Sequence, residues 1–299
     1  MALAIGVDLG GTKIGAAVID EKGRMVGELL QRPTGAERAA EAIVADIARV
    51  AEGAALAAGV RLAEVEGVGV GAPGPLDLVT GTVLTPPNLR SLHHFPLAAA
   101  LQERVQKPVR LNNDGNCFAL GEALYGAGRG CGIVCGVTLG TGFGGGIVIE
   151  GALLNGATGT AAELWMCPFK DGRFEDYGSS RGLAAAYARL TGARVPPSEV
   201  FLRAKQGETQ ALQAWQEYGA DLGVMLSYVV NTLDPDVVVV GGSVSEGWEF
   251  FCRHLLDSLR QHVNPLPAQH VQVRKAALGN LAGVVGAAAL VWQHKEEGG

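Results

Sequence analysis

Apolar residues come in short dense runs at the start of the chain. Residues 3–9, 14–20 and 25–30 are rich in β-branched and aliphatic side chains and are separated by Gly10-Gly11 and by Glu21-Lys22-Gly23. That pattern predicts a meander of three strands. From Glu37 onward the period changes: Ala40, Ile43, Ile47, Val50, Ala51 and Ala54 recur at steps of three and four, one apolar stripe over about five turns at 3.6 residues per turn. Residues 68–71 read as a buried strand, 97–105 as a helix and 109–111 as a strand returning to the sheet. The Pro-, Gly- and Asn-rich segment 72–96 reads as an excursion between them.

The second half opens the same way. A strand at 133–139 leads into a glycine loop, a strand at 147–149, the turn Glu150-Gly151 and a short strand at 152–154. Later come a helix at 217–230, a strand at 237–240 and a terminal helix from about Ala282. No short-period repeat is present, only this two-fold echo. The plan predicts an α/β protein of two lobes, each a mixed β-sheet flanked by helices, and it resembles the actin and hexokinase architecture (ribonuclease H-like). The expected lobes are 1–113 plus 283–299, the smaller, and 114–282, the larger, with a hinge near 112–115 and the last helix packed back on the first lobe.

Composition narrows the partners. The chain has 299 residues, 48% of them hydrophobic, enough for two domains with their own cores. Lys and Arg number 24 against 30 Asp and Glu, a formal charge of −6, and no basic cluster with interleaved aromatics occurs, so nucleic acid is not an expected partner. The N-terminus lacks a basic n-region and meets Asp8 before a secretory h-region is complete. The apolar tract 276–292 is broken by Asn280 and glycines and falls short of the roughly 20 apolar residues a membrane span needs. A soluble, cytoplasmic protein with no membrane partner is expected. Five cysteines, with Cys131 and Cys135 unaccompanied by a second Cys or His pair, read as reduced thiols rather than as a zinc site.

Two glycine loops carry the chemistry: Asp8-Leu9-Gly10-Gly11-Thr12-Lys13 and Leu139-Gly140-Thr141-Gly142-Phe143-Gly144-Gly145-Gly146. Glycine permits positive φ and close backbone approach, and successive exposed N–H groups form a concavity for an anion. Either loop alone is equally well a plain hairpin; the pair reads as a clamp on one triphosphate from opposite walls of a cleft. Asp8, at a strand end beside the first loop, can hold Mg²⁺ through water, and Thr12 and Thr141 offer hydroxyl donors. The formal G-x-G-x-x-G matches at Gly140 and Gly69 lack the helix that a dinucleotide fold requires directly after the glycines, and no G-x-x-x-x-G-K-[ST] occurs. Asn112-Asn113-Asp114-Gly115 is good turn and helix-cap chemistry. At the end of a strand between lobes, the Asp114 carboxylate can equally accept the proton of a substrate hydroxyl during phosphoryl transfer.

With the first loop, Pro87-Asn88-Leu89, Asn113-Asp114-Gly115-Asn116 running to Leu120-Gly121-Glu122, the second loop, and Pro235-Asp236-Val237-Val238-Val239-Val240-Gly241-Gly242, the chain resembles the ROK sugar kinases and repressors over almost its whole length. The resemblance implies ATP-dependent phosphorylation of a hexose with Asp114 as the base. Gly74, Asn88, Asn113, Glu163 and Glu175 would contact the sugar. Asp8, Gly10, Gly11, Thr12, Lys13, Gly140, Thr141 and Gly142 would serve the nucleotide and Mg²⁺, and Gly241-Gly242 would face the adenosine. A homodimer through the second lobe is implied as well.

The departures matter. Where the family writes Glu-x-Gly-His, this chain has Glu163-Leu164-Trp165-Met166, and only Cys167 lies between Glu163 and Glu175. Zinc is therefore not expected, and Trp165 is available as a stacking face in place of the imidazole. His93 and His94 are given no role. The first strand begins almost at Met1, with no preceding DNA-binding segment, so a kinase is expected rather than a repressor. The expected activity is glucokinase-like, at the C6 hydroxyl, with cleft closure excluding water. N-acetylmannosamine, N-acetylglucosamine, mannose and fructose are the alternatives within the class. A non-catalytic sugar sensor and an actin-like or chaperone-like ATPase are the alternatives outside it.

Overall fold

The computed structural model describes residues 2–296. In chain order its elements are β1 Leu3–Leu9, β2 Lys13–Asp20, β3 Met25–Pro33, α1 Ala40–Ala57, β4 Val68–Ala72, β5 Leu76–Asp77, β6 Thr82–Val83, α2 Leu97–Val105, β7 Val109–Asn113 and α3 Asp114–Tyr125. There follow β8 Ile133–Leu139, β9 Phe143–Ile149, β10 Ala152–Leu153, β11 Pro168–Phe169, β12 Gly172–Arg173, α4 Phe174–Gly178, α5 Ser180–Thr191, α6 Pro197–Lys205 and α7 Thr209–Leu233. The chain ends with β13 Val237–Gly241, α8 Trp248–His262, α9 Pro265–His270, β14 Gln272–Lys275 and α10 Ala282–Glu296. It divides into two compact units, residues up to 130 with 146–162 and 277 onward, and residues 131–145 with 163–276. Residues 114–130, 146–162 and 277–282, assigned to the larger lobe on sequence grounds, thus group with the first unit.

The two large sheets repeat one order, β3-β2-β1-β4-β7 and β10-β9-β8-β13-β14. In the first, β1 pairs antiparallel with β2 and parallel with β4, and β4 parallel with β7. In the second, β13 runs parallel to both β8 and β14. The two parallel strands β4 and β13 are apolar throughout, as strands covered on both faces are: all five residues of each are buried.

In the first unit α10 packs against β1, β4 and α3. Small residues set that distance. A Cβ on Gly6 would meet the Val284 carbonyl oxygen at 1.9 Å, and one on Gly69 the Ala287 carbonyl oxygen at 1.7 Å. Across the other face, a Cβ on Gly286 would meet the Cys117 carbonyl oxygen at 1.7 Å and one on Gly121 the Ala282 carbonyl oxygen at 2.3 Å. Glu122 is fully buried on α3 and accepts from Ala277 N (3.0 Å), Leu278 N (2.8 Å) and Ala127 N (2.8 Å). It ties α3 to the chain that enters α10 by charge-assisted bonds. The seam works because helix backbone lies directly on strand backbone and the one buried charge is satisfied.

Helix α3 replaces the turn that Asn-Asp-Gly also encodes. Asn113 has extended backbone and its Oδ1 accepts from Gly115 N (2.8 Å), an N-cap. The second unit holds more helix than periodicity announces. Helix α7 starts at Thr209 rather than 217, and its first turns carry Trp215, stacked on Phe251 with centroids 5.7 Å apart. Helices α6 and α9 begin on Pro197 and Pro265, a first-turn proline preference readable without periodicity.

Candidate functional site

In the first unit, Asp8, the last residue but one of β1, lies opposite Gly15 on β2 and Gly71 on β4. A Cβ on Gly71 would lie 3.6 Å from Asp114 Cα, and one on Gly283, the second residue of α10, 3.6 Å from Asp8 Cγ. Absent side chains thus bring two carboxylates, from β1 and from the start of α3, to one place. Burial, and next the Asp114 charge, raise the Asp8 pKa to about 6, against the lowering effect of Lys13. Asp114 keeps surface open to solvent, yet burial among protein atoms still raises its pKa, opposed by the N–H groups of Gly115 and of its own backbone. The neighbouring Cys117 thiol is pushed well up by burial and then by both carboxylates, so it is an inert core residue.

The first glycine loop is held from beneath. Gly10 N donates to Lys13 O (2.9 Å), and Thr34 donates from Oγ1 to Gly10 O (2.7 Å) and from its backbone N to Thr12 O (2.9 Å). Neither Gly10 nor Gly11 has a positive φ. What Gly11 requires is space, since a Cβ there would sit 3.2 Å from Asn88 Cβ. Thr12 and Lys13 are exposed. Asn88 is seated by Leu89, which is fully buried, and Gly74 follows the end of β4 in the loop toward β5. Asn113 spends its Oδ1 on the cap, and those bonds leave its Nδ2 unused.

In the second unit two glycine turns converge. Gly140 N donates to Gly142 O (3.0 Å) and Ser180 N to Gly140 O (2.8 Å). Gly241 pairs with Thr138 on β8. Gly242 has φ +81°, and a Cβ there would meet Leu139 O at 2.3 Å, so only glycine serves. A Cβ on Gly140 would lie 3.8 Å from Ser243 Oγ. Backbone from both turns therefore lies at the ends of adjacent parallel strands, the place where open α/β sheets take ligands. Thr141 is exposed between these turns' glycines.

The two glutamates differ from each other. Glu175 accepts from Phe143 N (3.3 Å) through Oε2 and from Arg181 Nη2 (2.8 Å) through Oε1, so its carboxylate braces the second glycine loop. Glu163 precedes a 3₁₀ turn, Leu164–Met166, and receives the indole N–H of Trp165 on Oε2. Trp165 therefore acts first as a donor to Glu163.

The model of the ROK family matches residues 4–294. This chain belongs to the ROK family. It is 34% identical to a glucokinase of Streptomyces coelicolor, over 97% of this chain and 98% of that one. It is 32% identical to an N-acetyl-D-glucosamine kinase of Escherichia coli O157:H7, over 95% and 98%. A solved ROK family glucokinase from Streptomyces griseus, in complex with glucose and AMPPNP, is 35% identical and superposes with a TM-score of 0.84, covering 98% of this chain and all of that one. The fold is accordingly the actin/hexokinase-like α/β fold that the duplicated strand plan predicts.

Within this ROK fold, the bracing residues escape sequence reading. Thr34, Glu122 and Asn155 hold loops or helix ends from positions distant in the chain, Arg181 pairs with the glutamate that braces the second glycine loop, and none lies in either glycine loop. Among the described residues there is no group of three or more His, Cys, Asp or Glu able to hold a metal, and no helix is long and apolar enough to cross a membrane. For Mg²⁺ the first unit fits differently. Two carboxylates brought together, with burial and the Asp114 charge both opposing ionisation of Asp8, suit a hard cation that takes one or two carboxylates and keeps water and phosphate oxygens for the rest.

Proposed function

We propose that this protein transfers the terminal phosphoryl group of ATP to a hexose, glucose foremost, at the C6 hydroxyl. The observation that carries the reading is the Asp8–Asp114 pair at the N-terminus of α3. A sensor or a sugar-independent ATPase has no need of a base whose pKa is lifted toward its working pH, and full-length similarity to named glucokinases supports the substrate class. Asp114 takes the proton of the attacking hydroxyl. Asn88, the free Nδ2 end of Asn113, Gly74 and Glu163 meet sugar hydroxyls, while Glu175 acts through the loop it braces. Thr12, Lys13 and the N–H groups of both glycine loops hold phosphate oxygens, and the Gly241-Gly242 turn takes the adenosine. Asp8 would hold Mg²⁺ through water, and the bound ion supplies positive charge beside the transferring group. The reading includes a cytoplasmic homodimer through the second unit.

N-acetylglucosamine remains the second substrate, on the similarity to the E. coli kinase. A coupled ADP assay with Mg-ATP across glucose, mannose, fructose, N-acetylglucosamine and N-acetylmannosamine, with a no-sugar blank, tests both. The highest kcat/KM is expected with glucose. ADP release indifferent to every sugar would leave an ATPase, and tight sugar binding without turnover a sensor.

The acid limb of activity follows from the carboxylates. Because the Asp8 pKa is raised, its neutral form persists to higher pH than an ordinary carboxylate's. Activity is therefore half-maximal near pH 6, full well above it, and lost as pH drops through that value, since a protonated Asp8 cannot serve the cation. Raising Mg²⁺ favours the ionised form and moves the limb to lower pH. A limb that ignores Mg²⁺ would detach Asp8 from the metal.

A further inference from the structure

The strand end that carries Asn113 and Asp114 is tied by a chain of three amides, none of which is in the machinery assigned above. Asn112, buried at the end of β7, accepts on Oδ1 from Asn113 N (2.8 Å) and from Asn116 Nδ2 (2.9 Å). Its Nδ2 donates to Asn155 Oδ1 (2.9 Å). Asn155 lies 43 residues away, just after β10, and its own carbonyl accepts from Ala161 N (3.2 Å). The second glycine motif contributes room: a Cβ on Gly146 would lie 2.8 Å from Asn116 Cα and 2.9 Å from its Oδ1.

The chemistry gives the chain a direction. An amide presents different atoms at its two ends. The backbone N–H of Asn113 can only donate, so Asn112 must point Oδ1 toward it and toward Asn116, and Nδ2 toward Asn155, which meets it with Oδ1. With Oδ1 so placed, the backbone N–H of Asn113 and the side chain of Asn116, on the first turn of α3, are both held from one atom. These bonds bracket the peptide that carries Asp114. We propose that Asn155 is a positioning residue for Asp114: through Asn112 it fixes the Asn113-Asp114 turn, and through Ala161 it fixes the segment that runs into Glu163 two residues later. The inference rests on the kinase reading above.

The group that would report the loss is Asp114. It accepts from Gly115 N (2.9 Å), in the same first turn of α3 that Asn116 ties to Asn112. A loosened turn lets the carboxylate swing away from the attacking hydroxyl, which lowers kcat and leaves nucleotide binding alone.

Asn155→Leu removes the acceptor at nearly constant volume, and Asn155 is only half-buried beside an open groove, so the leucine has room. The expected result is a fall in kcat of about tenfold, the value of one lost bond, with the KM for ATP unchanged. Asn155→Asp, which keeps an acceptor for Asn112, should stay within about twofold of the parent kcat. Should the leucine variant not fold, Asn155→Ala carries the same expectation. A lowered Tm with parental kcat would overturn the proposal. Parent protein that shows no sugar-dependent ADP release would instead overturn the kinase reading on which it rests.

Discussion

Asp114→Asn is expected to lower kcat by about 10³-fold, within the range for a lost general base and equal to about 4 kcal/mol of barrier. The substitution is nearly isosteric, and the helix cap belongs to Asn113, not to Asp114, so α3 keeps its start. Affinity for AMPPNP should hold within about twofold, as the nucleotide groups proposed above are other residues. The neighbour reports independently: the Asp114 charge raises the Asp8 pKa, so in the variant Asp8 titrates lower and the residual activity extends to lower pH. Calorimetric titration of AMPPNP and a pH series of the residual rate check both. Turnover near the parental level would remove Asp114 as the base.

The largest effect on stability is expected at the α10 seam. Gly69→Ala and Gly286→Ala each place a methyl 1.7 Å from a backbone carbonyl oxygen, that of Ala287 or of Cys117. No rotamer can yield when the obstacle is backbone, so helix and strand must separate. The expected cost is about 3 kcal/mol or more, at the upper end for overpacking, seen as a lower midpoint in thermal or urea unfolding. Gly283→Ala on the same helix is the control for stability, because its Cβ would meet nothing closer than Asp8 Cγ at 3.6 Å. Parental midpoints for both seam variants would mean that α10 docks less closely than this packing requires. Activity should fall with the seam, since β1 and β4, on which α10 lies, carry Asp8 and Gly71 at their ends.

Sequence periodicity was a sufficient guide where one face of an element decides its fate. The β1–β3 meander, α1 with its stripe from Ala40 to Ala54, and β13 with its four valines agree with their patterns to within a few residues. The glycine motifs and Asp114 were legible because each needs a specific residue type at a specific spacing. Helix α3 was not. Nine of its residues, Gly115 through Ala123, are buried, so it has no polar face to mark a period, and its Asn-Asp-Gly opening encodes turn and cap alike.

What the chain determined alone was therefore local: the duplicated order of strands, the glycines at the turns and the acid at the strand end, all set by backbone sterics and hydrophobic burial over a few neighbouring residues. What only the tertiary structure decided was which distant groups meet. Whether Glu175 faces a ligand or braces Phe143 N and Arg181, whether Glu122 is spare or holds the entry to α10, and whether Asn155 matters at all depend on hydrogen bonds between residues as many as 156 positions apart. A buried polar group is stable only with its partner in place, and that partner carries no mark in the sequence around it.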